Sequence, residues 1–296
     1  MLNKTHLTTF LFSILIIIVK GQSTVNTNIK EKPIYRVFYE HEHVRDTANP
    51  DKVYKQNMVL LVGDKHSQFV SFDKLIEYKD TEKGMFTEFR SGNTNFKITP
   101  GKINIPEEII LSYASNDVII NTYMAHYCHY TDSIPEIKWE IKDTTKLIEG
   151  IECTLANTTY LGRTWNAWFS PSIPIPTGPW FLKGLPGIIL EAQDSKSEVL
   201  YKFVRMETAT IPNEIIDYQK DKYKFISLTD KEKNEKYSKQ EYNKQLDLAR
   251  KDRAAYFRYM SEKYDFNTFG TLINYGLTNH LSWSSIILNP INLDKN

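Results

Sequence analysis

The sequence predicts an α+β fold that is mainly β: a curved antiparallel sheet or half-barrel, bowl-like in shape, with one long amphipathic helix in the C-terminal half. Three observations carry this. From Pro33 to about Met206, short segments of alternating or continuous apolar residues are separated by turn residues. After Thr229, Gly and Pro disappear from a run rich in helix formers. No helical pattern alternates with the strand segments, so hairpins rather than crossovers connect them.

The elements follow in order along the chain. Lys4 precedes the apolar run Leu7 to Val19, and Val19-Lys20-Gly21 leads to Gln22, the pattern of a secretory signal peptide over residues 1–21. That run falls short of the roughly 18 apolar residues a membrane span needs. The mature chain, 22–296, is therefore expected as one soluble domain without a membrane span. Its β-rich body covers 22–229. "IYRVFYEHEH" alternates about Phe38, and "KQNMVLLVGDKHSQFVSF" reads as two strands around a Gly63-Asp64 turn. Further strands are expected in "EFRSGNTNFKITP", "VIINTYMAHYCHY", "IKWEIKDTTKLIEGIECTLANTTYLGRTWNAWFSP" and "GIILEAQDSKSEVLYKFVRME". Over 230–264, Tyr242, Leu246, Ala249, Phe257, Met260 and Tyr264 step by threes and fours and predict the amphipathic helix. The apolar tail, 265–296, packs back on the body.

Charge excludes one class of partner. Removal of Lys4 and Lys20 with the leader leaves 35 basic residues against 36 acidic, a net charge of −1. Such a surface has no electrostatic footprint for nucleic acid. Cys128 and Cys153 pass through an oxidising compartment, where they can close a disulfide or remain two small buried hydrophobes.

Catalytic patterns are sparse. No Gly-x-Ser-x-Gly elbow is present. In "AHYCHY", His126 shares a strand face with Cys128 while His129 points away, a weak basis for a nucleophile and base. His41 and His43 share a face, and would make a copper or zinc site only by converging with His126 and Cys128. Glu191 and Asp194 end a strand, where carboxylates are ordinarily solvated. No catalytic residue, metal or cofactor is therefore assigned. The compositional oddity is aromatic: 18 Tyr, 15 Phe and 5 Trp. On a strand, Arg163, Trp165, Ala167 and Phe169 share one face and Thr164, Asn166, Trp168 and Ser170 the other, so one tryptophan enters the core and one does not. Arg163, Trp165, Trp168 and Trp180 are the candidate ligand contacts, because exposed aromatics beside Arg and Asn stack on sugars or peptide side chains.

Between Pro171 and Pro179 four prolines rule out a central strand and stiffen the chain. Gly184-Leu185-Pro186-Gly187 then reads as a type II turn with Gly187 at positive φ, launching Ile188-Ile189-Leu190 as a buried strand. Gly178, Pro179, Phe181, Gly184, Leu185, Pro186 and Gly187 form this structural motif. The whole segment "TWNAWFSPSIPIPTGPWFLKGLPGIILEAQD" resembles the signature of the GLPGLI family, secreted proteins of the Bacteroidetes, with Ile188 in place of leucine. "MVLLVGDKHSQFVS", "IKWEIKDTTKLIEGIECTLA" and "NPINLD" extend the resemblance in order, with Asn292 where an acid is more usual.

The resemblance implies a bowl-like body similar to the N-terminal region of a secreted peptide N-glycanase. It also implies an envelope setting in the periplasm or at the outer surface, and TonB-dependent outer-membrane receptors as partners. It carries no catalytic residue. The expected function is a non-enzymatic envelope accessory protein that binds a peptide, glycan, lipid-like ligand or outer-membrane receptor. An envelope glycan or glycopeptide hydrolase and a purely structural component are the alternatives.

Overall fold

The computed structural model describes residues 29–72, 108–123, 127–209, 216–217, 235–252, 255–256, 258–259 and 262. The expected leader 1–21, His126 and the tail 265–296 lie outside them.

The described chain is mainly β. Strands β1 (Lys30–Glu31), β2 (Tyr35–Val44), β3 (Val53–Val62), β4 (His66–Ser71), β5 (Glu108–Ser112), β6 (Asp117–Tyr123) and β7 (Tyr127–Ser133) come first. β8 (Glu140–Ile148), β9 (Ile151–Tyr160), β10 (Arg163–Ser170), β11 (Ile188–Asp194), β12 (Val199–Thr208), β13 (Ile216–Asp217) and β14 (Glu235–Tyr237) follow. Twelve of them form one open, curved sheet in the order β14-β7-β6-β5-β4-β3-β2-β12-β11-β10-β9-β8, while β1 pairs with β13. Neighbours are antiparallel except β14, which runs parallel to β7. Irregular register at Trp168/Phe169, Phe203/Arg205 and Ile141/Thr145 adds local twist, a means by which a sheet this wide bends.

One face of the sheet, here the inner face, gathers Val37, Tyr39, Met58, Leu60, Phe69, Ile109, Val118, Trp165, Leu190 and Tyr201 into the main core. The opposite face of the sheet around β2–β6 buries Phe38, Val59, Leu61, Val70, Ile110 and Ile119. Burial on both faces is why "NMVLLV" reads as a continuous apolar run instead of alternating.

Where one long helix over 230–264 was expected, the structure has α1 (Lys239–Lys251), 13 residues long, and beyond Asp252 the described residues 255–256, 258–259 and 262 are again helical. Its start is set by Ser238, whose side chain accepts from the Glu241 N–H at 3.1 Å. Ahead of that cap, Glu235–Tyr237 adds a strand to the sheet edge, so ladder hydrogen bonds override the helical propensity of these residues. At the other end Asp252 leaves helical geometry at φ −146° and ψ 92°. Tyr242 meets Tyr130 of β7 with centroids 4.5 Å apart, so the helix docks beside the β7 edge.

The segment between β10 and β11, residues 171–187, is a strap laid on the inner face. Its prolines set its shape. Ile175 N–H donates to Ile173 O at 2.7 Å and Thr177 N–H to Ile175 O at 2.8 Å, two successive three-residue turns about Pro174 and Pro176. Gly184 N–H returns to Pro176 O and Ile189 N–H to Thr177 O, so the strap satisfies much of its own backbone. Thr177 then hydrogen-bonds Ser67 of β4 at 2.9 Å, and Lys183 Nζ donates to the carbonyls of Ser112 and Ser115 at the β5–β6 turn. Tyr39 Oη donates to Ile189 O at 2.8 Å, and Trp139 Nε1 to Lys183 O at 2.8 Å. Trp180, Phe181, Leu182 and Leu185 are buried in the main core. Burying such side chains stabilises by roughly 1.5–3 kcal/mol each.

The glycines of the signature work differently from the sequence expectation. Gly184, not Gly187, has positive φ, at 93°, and Trp180 joins it at 55°. Gly187 is required by space: a Cβ there would sit 2.0 Å from Ser170 O and 2.6 Å from Ser170 C. Because the obstacle is backbone on the adjacent strand, no rotamer change relieves it. Gly187→Ala is expected to destabilise by about 3 kcal/mol, the upper end of overpacking costs. Gly184→Ala, strained only in φ, is expected to cost about 1–2 kcal/mol. Urea unfolding of the two variants checks this ranking.

Candidate functional site

The strap decides where the four candidate ligand contacts point. Trp165 is buried, its Nε1 donating to Tyr160 O at 3.3 Å, and Trp180 lies against it with ring centroids 5.6 Å apart. Phe181 and Tyr160 complete the aromatic stack on Trp180 at 4.7 and 6.3 Å. Arg163 is buried as well, and donates to Asp194 at 2.6 Å and Glu198 at 2.8 Å. Asp194 also accepts from the Glu198 and Val199 amides at 2.7 and 2.9 Å, so this cluster organises the β11–β12 turn. Three of the four residues are thus core. Trp168 alone of the set is half-buried on the outer face.

On that face the antiparallel registers align residues in rows across five or six strands. One row runs Leu155, Trp168, Glu191, Lys202, Glu40 and Asn57, and the next Asn157, Asn166, Gln193, Leu200 and Glu42. Opposite charges alternate along the first row, a stabilising cross-strand arrangement. Lys146 of β8 reaches over the Trp168 ring, its Nζ 4.4 Å from the centroid, and pairs with Glu191 at 2.7 Å. The result is an aromatic platform flanked by a cation, an anion and planar amides. In the sequence, alternation set Trp168 on the face opposite Trp165 without showing which face is outer. Lys146 was not visible there, because it comes to the ring across two strand pairings that no local pattern encodes.

Cys153 lies beside Lys146 in the β8–β9 register and holds a free, buried thiol that donates to Ile151 O at 3.5 Å. Burial pushes this thiol up to about 11, which leaves it protonated and a poor nucleophile. The side chain of Cys128, the other half of the bridge that the sequence left open, is outside the description.

A second polar group sits on the inner face. His41, His43 and Arg45 lie along β2 and its end, each with no more than 3% of its surface exposed. Tyr201 stacks on His41 at 4.5 Å with the rings 20° from parallel. His41 Nδ1 contacts Leu200 O at 3.2 Å. Since a carbonyl only accepts, Nδ1 carries the proton and Nε2 the lone pair. Nε2 is buried with no hydrogen-bond partner among the described residues. Among the described residues no three His, Cys, Asp or Glu side chains converge as a metal cage.

Burial first, and then the electrostatic influence of His43 and Arg45, lowers the His41 pKa to about 3. The unfolded chain, with an ordinary imidazole near 6.5, takes up this proton first as pH falls. The His41 contribution is therefore complete above pH 6.5 and is lost progressively toward about pH 3. The limiting slope is on the order of 1.4 kcal/mol per pH unit. His41→Gln is expected to flatten the fall of unfolding free energy between pH 6.5 and 4, measured by urea titration at each pH.

No family model matches the chain, and no curated protein matches it. Among solved structures the chain is similar to "Structure of PNGF-II in P21 space group" and "Structure of PNGF-II in C2 space group". Each shows 10% sequence identity and a TM-score of 0.45, with 72% of this chain covering 32% of that one. The chain spans about a third of the length of these two structures.

Proposed function

We propose that the protein is a secreted, non-enzymatic accessory protein of the cell envelope, of the GLPGLI type, that binds a polar ligand on the outer face of its sheet. The observation that carries the location is the strap. It fills the inner face with Trp180, Phe181, Leu182 and Leu185, and of the four candidate contacts it leaves only Trp168 toward solvent. The leader pattern at 1–21 supports secretion, and the signature at 164–194 supports the family reading. An outer-membrane receptor of the TonB-dependent kind is the partner that this reading adds.

The chemistry of the outer face favours a glycan or peptide over a lipid-like ligand. Trp168 offers a ring for stacking, Asn157, Asn166 and Gln193 offer paired donors and acceptors, and Lys146 with Glu191 offers both charges. A lipid tail needs a dry apolar channel, whereas the first of these rows alternates charge and the second is mostly amide.

Envelope-derived oligosaccharides and peptides, titrated while following tryptophan fluorescence, test the reading. Trp168→Ala is expected to lower stability by only about 1–2 kcal/mol and to weaken binding at least tenfold. Trp165→Ala is the contrast, and costs roughly 3–5 kcal/mol as a large-to-small core change. A ligand held with unchanged affinity by Trp168→Ala, or mapped by NMR to the inner face, defeats the proposal.

A further inference from the structure

We propose that His41 and His43 form the nitrogen core of a binding site for a divalent transition-metal ion of the copper and zinc class. The site lies on the inner face, apart from the outer-face rows, and rests on neither the family reading nor the ligand reading above.

Four observations converge on these two residues. Their spacing on β2 puts both imidazoles on one face of the sheet, with ring centroids 5.9 Å apart. With metal–nitrogen bonds of about 2.0–2.1 Å, a ring centroid stands roughly 3.2 Å from a bound ion, so two rings sharing an ion lie at most about 6.4 Å apart. Near-tetrahedral ligands bring them to about 5.2 Å, less than 1 Å from the observed separation. The pair is within chelating reach.

The second observation is the tautomer. The Nδ1–H of His41 is held by Leu200 O at 3.2 Å, which fixes the lone pair on Nε2. Metal-bound histidines characteristically donate their other ring N–H in this way. Third, that Nε2 is buried and has no hydrogen-bond partner among the described residues, a cost that a Lewis acid at this position removes. Fourth, Tyr201 stacked at 4.5 Å holds the plane of the His41 ring.

An anion is the obvious competitor, because Arg45 follows His43 and its guanidinium lies 4.4 Å from the Tyr54 ring. With Nδ1–H held by Leu200 O, the lone pair on His41 Nε2 faces the site and repels an anion. Arg45 instead acts against the metal and holds the affinity down. A ligand hydroxyl could also donate to Nε2, but it would make no use of the second imidazole. Solvent water completes the coordination beside the two imidazoles.

The test uses the untagged full-length mature protein, stripped with chelator, then dialysed against Cu²⁺ alone or Zn²⁺ alone, both in the native state and during refolding. The expected result is one ion per chain at micromolar metal, with Cu²⁺ electron paramagnetic resonance showing coupling to two imidazole nitrogens. His43→Gln is expected to lower the affinity at least about tenfold, and Arg45→Met to raise it. Absence of stoichiometric uptake in both states, or a copper spectrum without two-nitrogen coupling, overturns the proposal. If His43→Gln fails to fold, the spectrum of the wild-type protein decides alone.

Discussion

The structure turns on one close approach. The backbone at Gly187 passes Ser170 so tightly that a methyl group would stand 2.0 Å from the Ser170 carbonyl oxygen. This contact pinches the two ends of the strap together, where Ser170 pairs with Ile188 and Phe169 with Ile189. With its ends closed, the strap cannot lengthen the β10–β11 hairpin. It must fold back over the sheet, and the inner face is the side on which its apolar residues find cover. Hydrogen bonds to Ser67, Ser112 and Ser115 then reach from the strap to β4 and the β5–β6 turn, far along the sheet. A curved sheet makes these reachable from one loop, and the loop in turn fixes the curve.

The inner face consequently divides. Toward the β5–β6 turn it is dry and aromatic, filled by the strap. Toward the end of β2 it is polar, with His41, His43 and Arg45 buried beside Tyr201. The buried Arg163–Asp194–Glu198 cluster ends β11 in the ladder row that contains His43. Losing one member of such a cluster leaves a desolvated charge, which is far costlier than the pair is stabilising. Polar chemistry is thus concentrated at the end away from the strap.

The sequence made the β character legible because period-two alternation and turn residues are local signals. It put Trp165 and Trp168 on opposite faces for the same reason, without deciding which of them is inward. The signature's glycines show where local reasoning stops. Pro186-Gly187 has the composition of a type II turn, yet Gly187 is there because another strand's backbone crosses its path, a nonlocal fact. The helix was over-read for a related reason. Glu235–Tyr237 has helical propensity, but an available edge at β7 offered ladder hydrogen bonds, and Ser238 supplied a cap that starts the helix later. The outer-face platform was half legible. Alternation separates Trp168 from Trp165, while its exposure and its Lys146 and Glu191 partners emerge only from the registers of β8 through β11. His41 and His43 were visible as a pair, and the fixed tautomer that makes them interesting depends on Leu200, far along the chain.

The central claim is that the strap is core and not a mobile rim. Hydrogen exchange of its amides tests this most directly. Thr177, Leu182, Gly184, Ile188 and Ile189 donate to backbone carbonyls within or beside the strap. They are expected to exchange as slowly as the β10 and β11 ladder amides, opening only with global unfolding. Exchange of Thr177, Leu182 and Gly184 at the rate of an exposed loop would contradict the account, and would return Trp180 and the inner face to consideration as the binding surface.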